Sequence, residues 1–204
     1  MIVPKERTSV PATVVEHEKI LLVEGDTPSH FFEALATHLG IADQIEIWNY
    51  GSISNLGTYL RTLASTAEFR RKVKSLGIAR DAEDNPAGAR QSVDSAVKSS
   101  ALSDGVSVKI AILPDDATPG MIETLCLRSV DSDPIYECAN GFFVSLKEKG
   151  VVLPDTLKHC KRVVRVYLAG KDYPEAPVGI AAHKKAWPFD HAAFEVLRAF
   201  IQDL

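Results

Sequence analysis

The chain has 204 residues, an apolar fraction of 46% and a formal charge of −4. These values are ordinary for a globular protein that buries its core without disulfide or metal staples. The N-terminal stretch lacks the continuous apolar run of a signal peptide, and no run approaches the roughly 20 residues of a membrane span. We therefore expect a cytoplasmic protein with no membrane partner, and the acidic balance argues against unaided coating of nucleic acid.

The three cysteines, Cys126, Cys138 and Cys160, are widely spaced and form no C-x-x-C pair. Each has apolar neighbours, as structural thiols of a reducing compartment usually do. All three are predicted to be core residues without a catalytic or metal-binding role.

Strands and helices alternate in the predicted secondary structure. A polar lead-in (1–18) precedes KILLVEG (19–25), an apolar run of the kind that forms strands buried on both faces. In chain order there follow a helix ending near Gly40, a strand at 44–50, a helical pattern from 54 to about 74 with a break near Ser65, a strand at 75–81, a helix at 86–102, a strand at 106–114 and a helix at 119–130. This alternation predicts an α/β layered fold with a mostly parallel sheet of about four strands flanked by helices.

Proline follows a potential N-cap at three predicted junctions, namely Thr27-Pro28, Asn85-Pro86 and Thr118-Pro119. Proline suits the first helical turn because the amides there have no partner within the helix. The helices are therefore predicted to begin directly after acidic residues.

Residues 131–204 are predicted to form a helical extension on the core that residues 19–130 build. A cap at Asp133-Pro134 begins a helix that ends near Gly150. Residues 155–170 fit a helix, although RVVRVYL alone also fits a strand. A loop (171–180) and a final helix (187–204) capped by Asp190 complete the chain.

Acidic residues follow three of the predicted strands. The carboxyl ends of parallel strands meet at one edge, so we expect these side chains on one rim of the sheet. Mg²⁺ prefers carboxylate oxygens and water. Asp81 and Glu83, at i and i+2 of an extended segment, can address one ion, with Asp84 in place of Glu83 if the chain has already turned. Alternatively, each carboxylate only stabilises a helix N-terminus, by roughly 0.3–1 kcal/mol.

The strings LLVEG, DAE and PDD at the first, third and fourth strand ends resemble the Toprim domain. This is the magnesium-dependent module of type IA and type II topoisomerases, bacterial-type primases, RecR and the overcoming-lysogenization-defect (OLD) nucleases. Residues 19–130 are also similar to a small bacterial family of Toprim-like proteins without an assigned function.

The resemblance implies that Glu24 is the general acid or base at a phosphodiester and that Asp81 and Glu83 hold Mg²⁺ or Mn²⁺. The candidates for binding a second ion are Asp26, Asp115 and Glu123. Glutamate at the second position of the D-x-D motif departs from the family pattern, and its longer arm changes the geometry.

The resemblance further implies cleavage or phosphoryl transfer on nucleic acid, with DNA favoured over RNA, in DNA repair or phage defence. The sequence has no Walker-type loop, so an ATPase or assembly partner would be a separate chain. Phosphate contacts are predicted for two basic clusters, for which a solvated helix surface is the alternative. These clusters are Arg70, Arg71 and Lys72 in the first, and Lys161, Arg162 and Arg165 in the second.

Two other functions remain open from the sequence. One is a non-catalytic Toprim-like binding module in a larger assembly. The other is a receiver-like domain in which Asp81 accepts a phosphoryl group, although Glu24 and Asp26 are not the adjacent acidic pair expected there. The sequence leaves the oligomeric state open.

Overall fold

The computed structural model describes residues 14–102, 105–153 and 158–204. Its centre is a four-stranded sheet with the order β2-β1-β3-β4. The strands are β1 (Lys19–Val23), β2 (Ile45–Asn49), β3 (Ser75–Asp81) and β4 (Ser107–Leu113). Every neighbouring pair is parallel, so the predicted α/β fold with about four strands is confirmed and the sheet is parallel throughout.

Helices flank the sheet on both faces. In the described residues they are α1 (Asp26–His38), α2 (Ile53–Ser65), α3 (Ala67–Lys72), α4 (Pro86–Lys98), α5 (Ile122–Arg128), α6 (Pro134–Glu148), α7 (His159–Ala169), α8 (Val178–His183) and α9 (Glu195–Gln202). The break near Ser65 is confirmed, and RVVRVYL is helical rather than a strand. Helix α8 begins inside the segment predicted as a loop.

The predicted caps at Asn85 and Asp133 are confirmed. The side chain of Asn85 accepts from the Gly88 amide at 2.9 Å, and that of Asp133 accepts from the Ile135 amide at 2.9 Å. In both cases the following proline occupies the first helical turn, where its missing N–H costs no hydrogen bond.

The other three predicted caps are wrong. Helix α1 already begins at Asp26, with Gly25 before it, so Thr27 lies inside the first turn. Helix α5 begins at Ile122, beyond Thr118-Pro119. Near the C-terminus His191 is the capping side chain instead of Asp190, and it caps a short 3-10 helix (Ala192–Phe194) that precedes α9.

Strand side chains alternate between two helical layers. Leu21, Val23 and Ala79 point into a core shared with α1 and α5–α9, where Tyr167 and Trp187 are buried. Ile20, Leu22, Leu76 and Ile78 point into a second core, shared with α2, α3 and α4. Residues 131–204 therefore contribute to the core on one face of the sheet only.

The cysteine prediction is wrong in one respect. Cys126 is buried and Cys160 is half-buried, but Cys138 is exposed on α6. Of the lead-in, residues 1–13 lie outside the described residues, and Val15 is buried against the second core. No helix in the described ranges is both long and apolar enough to span a bilayer.

Helix α8 approaches α1 so closely that only glycine fits at Gly179. A Cβ there would clash with the carbonyl oxygen of Thr27 and lie 2.7 Å from Cβ of His30. We expect Gly179→Ala to destabilise the protein by about 1–3 kcal/mol, because the helices must move apart. Thermal unfolding measures this change.

Gly141→Ala is the matched control for Gly179→Ala. Gly141 is also helical, and nothing lies within 4 Å of a Cβ at that position. The control is expected to stabilise the protein by about 0.5–1 kcal/mol. Equal melting temperatures for the two variants would contradict the close approach of α8 to α1.

Candidate metal centre

Three of the predicted site residues line one cavity at the carboxyl edge of the sheet. The cavity has a volume of ≈ 180 Å³. Its carboxylates are those of Glu24, Asp81 and Glu83, and the rest of its wall is formed by Pro28, Phe32, Ala79, Arg80 and Leu113. A larger open depression of ≈ 560 Å³ runs along α4 and contains none of these three carboxylates.

Glu24 is fixed immediately after β1. Its Oε1 accepts a hydrogen bond from the amide of Ile53, the first residue of α2, at 3.0 Å. Its Oε2 lies 3.6 Å from Nε of Arg80. One oxygen thus satisfies a helix amide that has no partner within α2, and the other faces a cation.

The turn after Glu24 depends on Gly25 and Asn49. Gly25 has φ 91°, a value that glycine adopts without steric cost. The Asn49 side chain accepts from the Gly25 amide at 2.8 Å and donates to Asp26 Oδ1 at 2.9 Å. Asn49, at the end of β2, therefore holds the chain between Glu24 and α1 in place.

Tyr50, which interacts electrostatically with Glu24, is fully buried. Burial first, and then the negative charge of Glu24, raise the pKa of Tyr50 far above its ordinary value. Its hydroxyl has no hydrogen-bond partner within 3.5 Å among the described residues. Tyr50 is therefore a neutral phenol close to the carboxylate of Glu24.

Asp81 is the last residue of β3, and its side chain points to the opposite face of the sheet from that of Glu24. Its Oδ1 accepts from the amide of Ile122, the first residue of α5, at 2.9 Å. Burial, followed by the negative charge of Glu123, raises the pKa of Asp81 to about 7. The Ile122 amide and the Lys161 cation oppose this rise without cancelling it.

Glu123 adds a buried carboxylate beside the half-buried Asp81. Its side chain is 9% exposed, and Oε1 lies 3.9 Å from Nζ of Lys161. Its Oε2 is buried with no hydrogen-bond partner in the described part of the chain. Burial, and then the charges of Glu123 and Asp81, raise the pKa of the Cys126 thiol. Two carboxyl groups therefore lie together here, with the Lys161 ammonium beside one of them.

Glu83 reaches the cavity through an unusual backbone conformation. Its φ of 53° lies in the left-handed region, which costs a non-glycine residue roughly 1–2 kcal/mol. Two hydrogen bonds with Gly120 stabilise it, from Glu83 N to Gly120 O at 2.8 Å and from Gly120 N to Glu83 O at 2.7 Å. Strain of this kind is common at functional sites.

The remaining predicted metal ligands do not line this cavity. Asp26 is exposed and bonded to Asn49, and Asp84 is exposed at the turn before α4. Oδ1 of Asp115 accepts from the amides of Ala117 and Thr118 at 3.0 and 2.6 Å. Although partial burial acts to raise the pKa of Asp115, hydrogen bonds from the Thr118 side chain and from these amides lower it overall.

The cavity carboxylates share a wall without forming a tight cage. In the described ranges, no three of them place one ligand atom each within 4.8 Å of the others.

The two predicted basic clusters lie at different ends of the sheet. Helix α3, with Arg70, Arg71 and Lys72, ends just before β3 begins and therefore lies at the amino edge. There Arg71 pairs with Glu68 at 3.1 Å. Helix α7, with Lys161, Arg162 and Arg165, packs against α5, so this cluster adjoins Glu123.

Sequence reasoning missed Arg80 and Tyr50. Arg80 precedes Asp81 and points to the opposite face, where its guanidinium contacts Glu24 and donates to the carbonyl of Ala89. The available signal was a cation inside a buried strand, because a buried charge needs a partner. Tyr50 carried no such signal.

Two solved structures are similar to the chain, both of the C-terminal region of the Xanthomonas campestris pv. campestris OLD protein. The structure phased with iodine is 14% identical and covers 94% of this chain and 100% of its own, with a TM-score of 0.40. The structure phased with mercury is 15% identical and covers 93% and 97%, with a TM-score of 0.41. Likeness at this level assigns no function or functional residue to the chain.

No curated protein matches the chain. A family profile with the description "Protein of unknown function (DUF3226)" matches residues 18–204. The match covers nearly all of the sequence, including both the cavity and the helices after residue 131. The predicted similarity to a family without an assigned function is confirmed, and the chain belongs to this family.

Proposed function

We propose that the protein is a Mg²⁺- or Mn²⁺-dependent enzyme that cleaves or transfers phosphodiesters of nucleic acid, with DNA favoured over RNA. The supporting observation is that Glu24, Asp81 and Glu83 line one cavity at the carboxyl edge of a parallel sheet. By resemblance, its setting is DNA repair or phage defence, with a separate ATPase or assembly partner.

The residues of the cavity fit a divalent cation. Burial, and then the charge of Glu123, raise the pKa of Asp81 to about 7, and Oε2 of Glu123, which lies beside the cavity lining, is buried without a hydrogen-bond partner in the described residues. Asp81 and Glu83 would hold the ion, and Glu123 is the candidate for a second. Such an ion, when bound, polarises a phosphate oxygen and offsets the charge that develops on it.

Glu24 is proposed to move the proton during cleavage. The Ile53 amide and the Arg80 guanidinium orient its two oxygens, so the carboxylate is held beside the cavity. A carboxylate fixed in this way can take a proton from the attacking oxygen or return one to the leaving oxygen. Tyr50, buried near Glu24, stays uncharged because its pKa is raised.

Helix α7 is proposed to contact the nucleic-acid backbone. Arg165 is exposed one turn after Lys161, which adjoins the carboxylates through Glu123. Cations at this place supply the salt-dependent phosphate contacts that an enzyme of this net charge needs locally. Arg70, Arg71 and Lys72 remain a predicted second contact at the other edge of the sheet.

A non-catalytic binding module is the second candidate, and one observation favours it. Glu24 and Asp81 each accept a hydrogen bond from the first amide of a helix, so both carboxylates have a structural role without any ion. If that is their whole role, the protein binds no divalent ion at the cavity.

Titration of the wild-type chain with Mg²⁺ and Mn²⁺ by calorimetry, beside a plasmid-nicking assay, tests the proposed function. We expect ion binding and ion-dependent nicking, both abolished by the double substitution Asp81→Ala and Glu83→Ala. Absence of ion binding in the wild type would overturn the enzyme and leave the binding module. Covalent labelling of Asp81 by a small phosphodonor would instead favour the receiver-like function.

A further inference from the structure

A second group of metal-ligating side chains lies where α8 packs on α1. It consists of His30 and Glu33 on α1 and His183, the last residue of α8. One ligand atom from each lies within 4.8 Å of the other two, and this is the only such group of three in the described residues. None of these residues lines the carboxylate cavity.

The distances within this group suit a small four-coordinate ion. Oε2 of Glu33 lies 3.1 Å from Nδ1 of His30 and 3.7 Å from Nε2 of His183. Ligand atoms about 2.0–2.1 Å from a tetrahedral zinc ion are about 3.4 Å apart, between these two values. The two imidazole rings meet edge to face at 5.9 Å between centroids, so both can direct a nitrogen toward Glu33.

Packed backbone fixes these positions. His30 and Glu33 are three residues apart and therefore lie on the same face of α1. His183 is held over that face because Gly179 lets α8 approach the backbone of Thr27 and Phe31. The ligands thus belong to two helices whose separation is set by a contact that permits no side chain at Gly179.

Solvent can complete the coordination. The side chains are 20% exposed for His30, 44% for Glu33 and 39% for His183. A fourth position is therefore open to water, as in zinc sites with two histidines and one glutamate. Imidazole nitrogen also selects transition metals over Mg²⁺, which prefers oxygen.

We propose that His30, Glu33 and His183 bind one Zn²⁺ ion, or a divalent transition metal of the same class, that joins α8 to α1. The bound ion stabilises the packing of residues 178–183 (α8) on α1, the helix that follows Glu24, so its role is structural. The site is chemically distinct from the proposed magnesium centre and does not depend on that proposal.

Metal-free protein titrated with Zn²⁺ against a chromophoric chelator tests this site. We expect one ion per chain and a melting temperature that rises with the concentration of Zn²⁺. His183→Ala and Glu33→Gln should each lower zinc affinity by more than the roughly 10–100-fold that loss of an outer-shell partner costs. Co²⁺ should give the visible bands of tetrahedral coordination, lost in both variants.

His38→Ala is the matched control, since His38 is also on α1 and its carboxylate partner, Asp190, lies outside the group of three. His38→Ala should bind zinc like the wild type. Asp81→Asn should do so too, because the zinc site does not include the carboxylate cavity. The metal-free melting temperature of each variant checks that it folds. Zinc binding that is absent from the wild type, or that survives in both His183→Ala and Glu33→Gln, would overturn the proposal.

Discussion

Glu24→Gln is expected to lower Mg²⁺-dependent cleavage of DNA by about 10²–10⁴-fold while leaving the affinity for Mg²⁺ nearly unchanged. Glutamine keeps an oxygen that can accept from the Ile53 amide, so the turn after β1 should persist. It cannot take up or release the proton that cleavage requires. Calorimetric titration of the ion and the initial rate of plasmid nicking measure the two effects separately.

Asp26→Asn is the control for Glu24→Gln. It removes the same unit of charge two residues away, from a side chain that is exposed and bonded to Asn49. We expect its cleavage rate to stay close to that of the wild type. An equal loss of cleavage rate in both variants would show that the negative charge of this turn matters, rather than proton transfer by Glu24. Full activity of Glu24→Gln would show that Glu24 has no part in the mechanism.

Asp81→Asn is expected to make the metal-free protein more stable at pH 8 and to abolish binding of Mg²⁺. The pKa of Asp81 in the folded protein is about 7, above its ordinary value of 3.8. The folded state therefore holds the proton more tightly than the unfolded chain, and this contribution to stability is present at low pH and is lost as the pH rises through 7. At pH 8 the buried charge costs on the order of 1–4 kcal/mol, which the substitution removes.

Urea unfolding in the presence of a chelator, at pH 5 and at pH 8, measures the difference between Asp81→Asn and the wild type. We expect the difference to be smaller at pH 5, where the folded wild-type carboxyl is protonated, and to vanish only below the ordinary pKa of 3.8. Mg²⁺ at 100 times its dissociation constant should restore about 2.7 kcal/mol to the wild type alone. Asp43→Asn, at an exposed loop position with the same charge change, should show neither effect.

An Asp81→Asn protein that is less stable than the wild type at pH 8 without metal would contradict the burial of an uncompensated charge. It would mean that the hydrogen bond to Ile122 outweighs the cost of that charge. Unchanged binding of Mg²⁺ in the same variant would place the ion elsewhere in the molecule.

The strands and the edge that carries the carboxylates could be predicted from the sequence because both follow local rules. Residues 75–81 form a strand with the predicted bounds, and β1 lies within the apolar run at 19–25, the pattern of a strand covered on both faces. Glu24 and Asp81 share one edge because parallel strands end together. Both predictions needed only the order of the elements.

The helix starts were harder to predict because distant side chains satisfy them. The first amide of α5 bonds to Asp81, 41 residues earlier, and the first amide of α2 bonds to Glu24, 29 residues earlier. Nothing near Ile122 or Ile53 in the sequence reveals such a partner. For the same reason the predicted cap at Thr118-Pro119 is wrong, since a local sequence pattern indicates only acceptors that are close in the sequence.

The zinc ligands were equally hidden. His30 and Glu33 have helical spacing, but His183 is 150 residues after Glu33, beyond the predicted loop (171–180) and outside any predicted helix. The contact that brings them together is a glycine packed against backbone, and the sequence shows no periodic signal for it. Tertiary packing alone supplies this group.

The carboxylate cavity is assembled from both helical layers of the protein. Glu24 is anchored by α2 and by an arginine that reaches α4, whereas Asp81 is anchored by α5 on the other face of the sheet. The cavity is complete only when both layers are packed on the sheet. A ligand that binds there therefore stabilises the packing of both layers at once, by an amount set by its concentration relative to its dissociation constant.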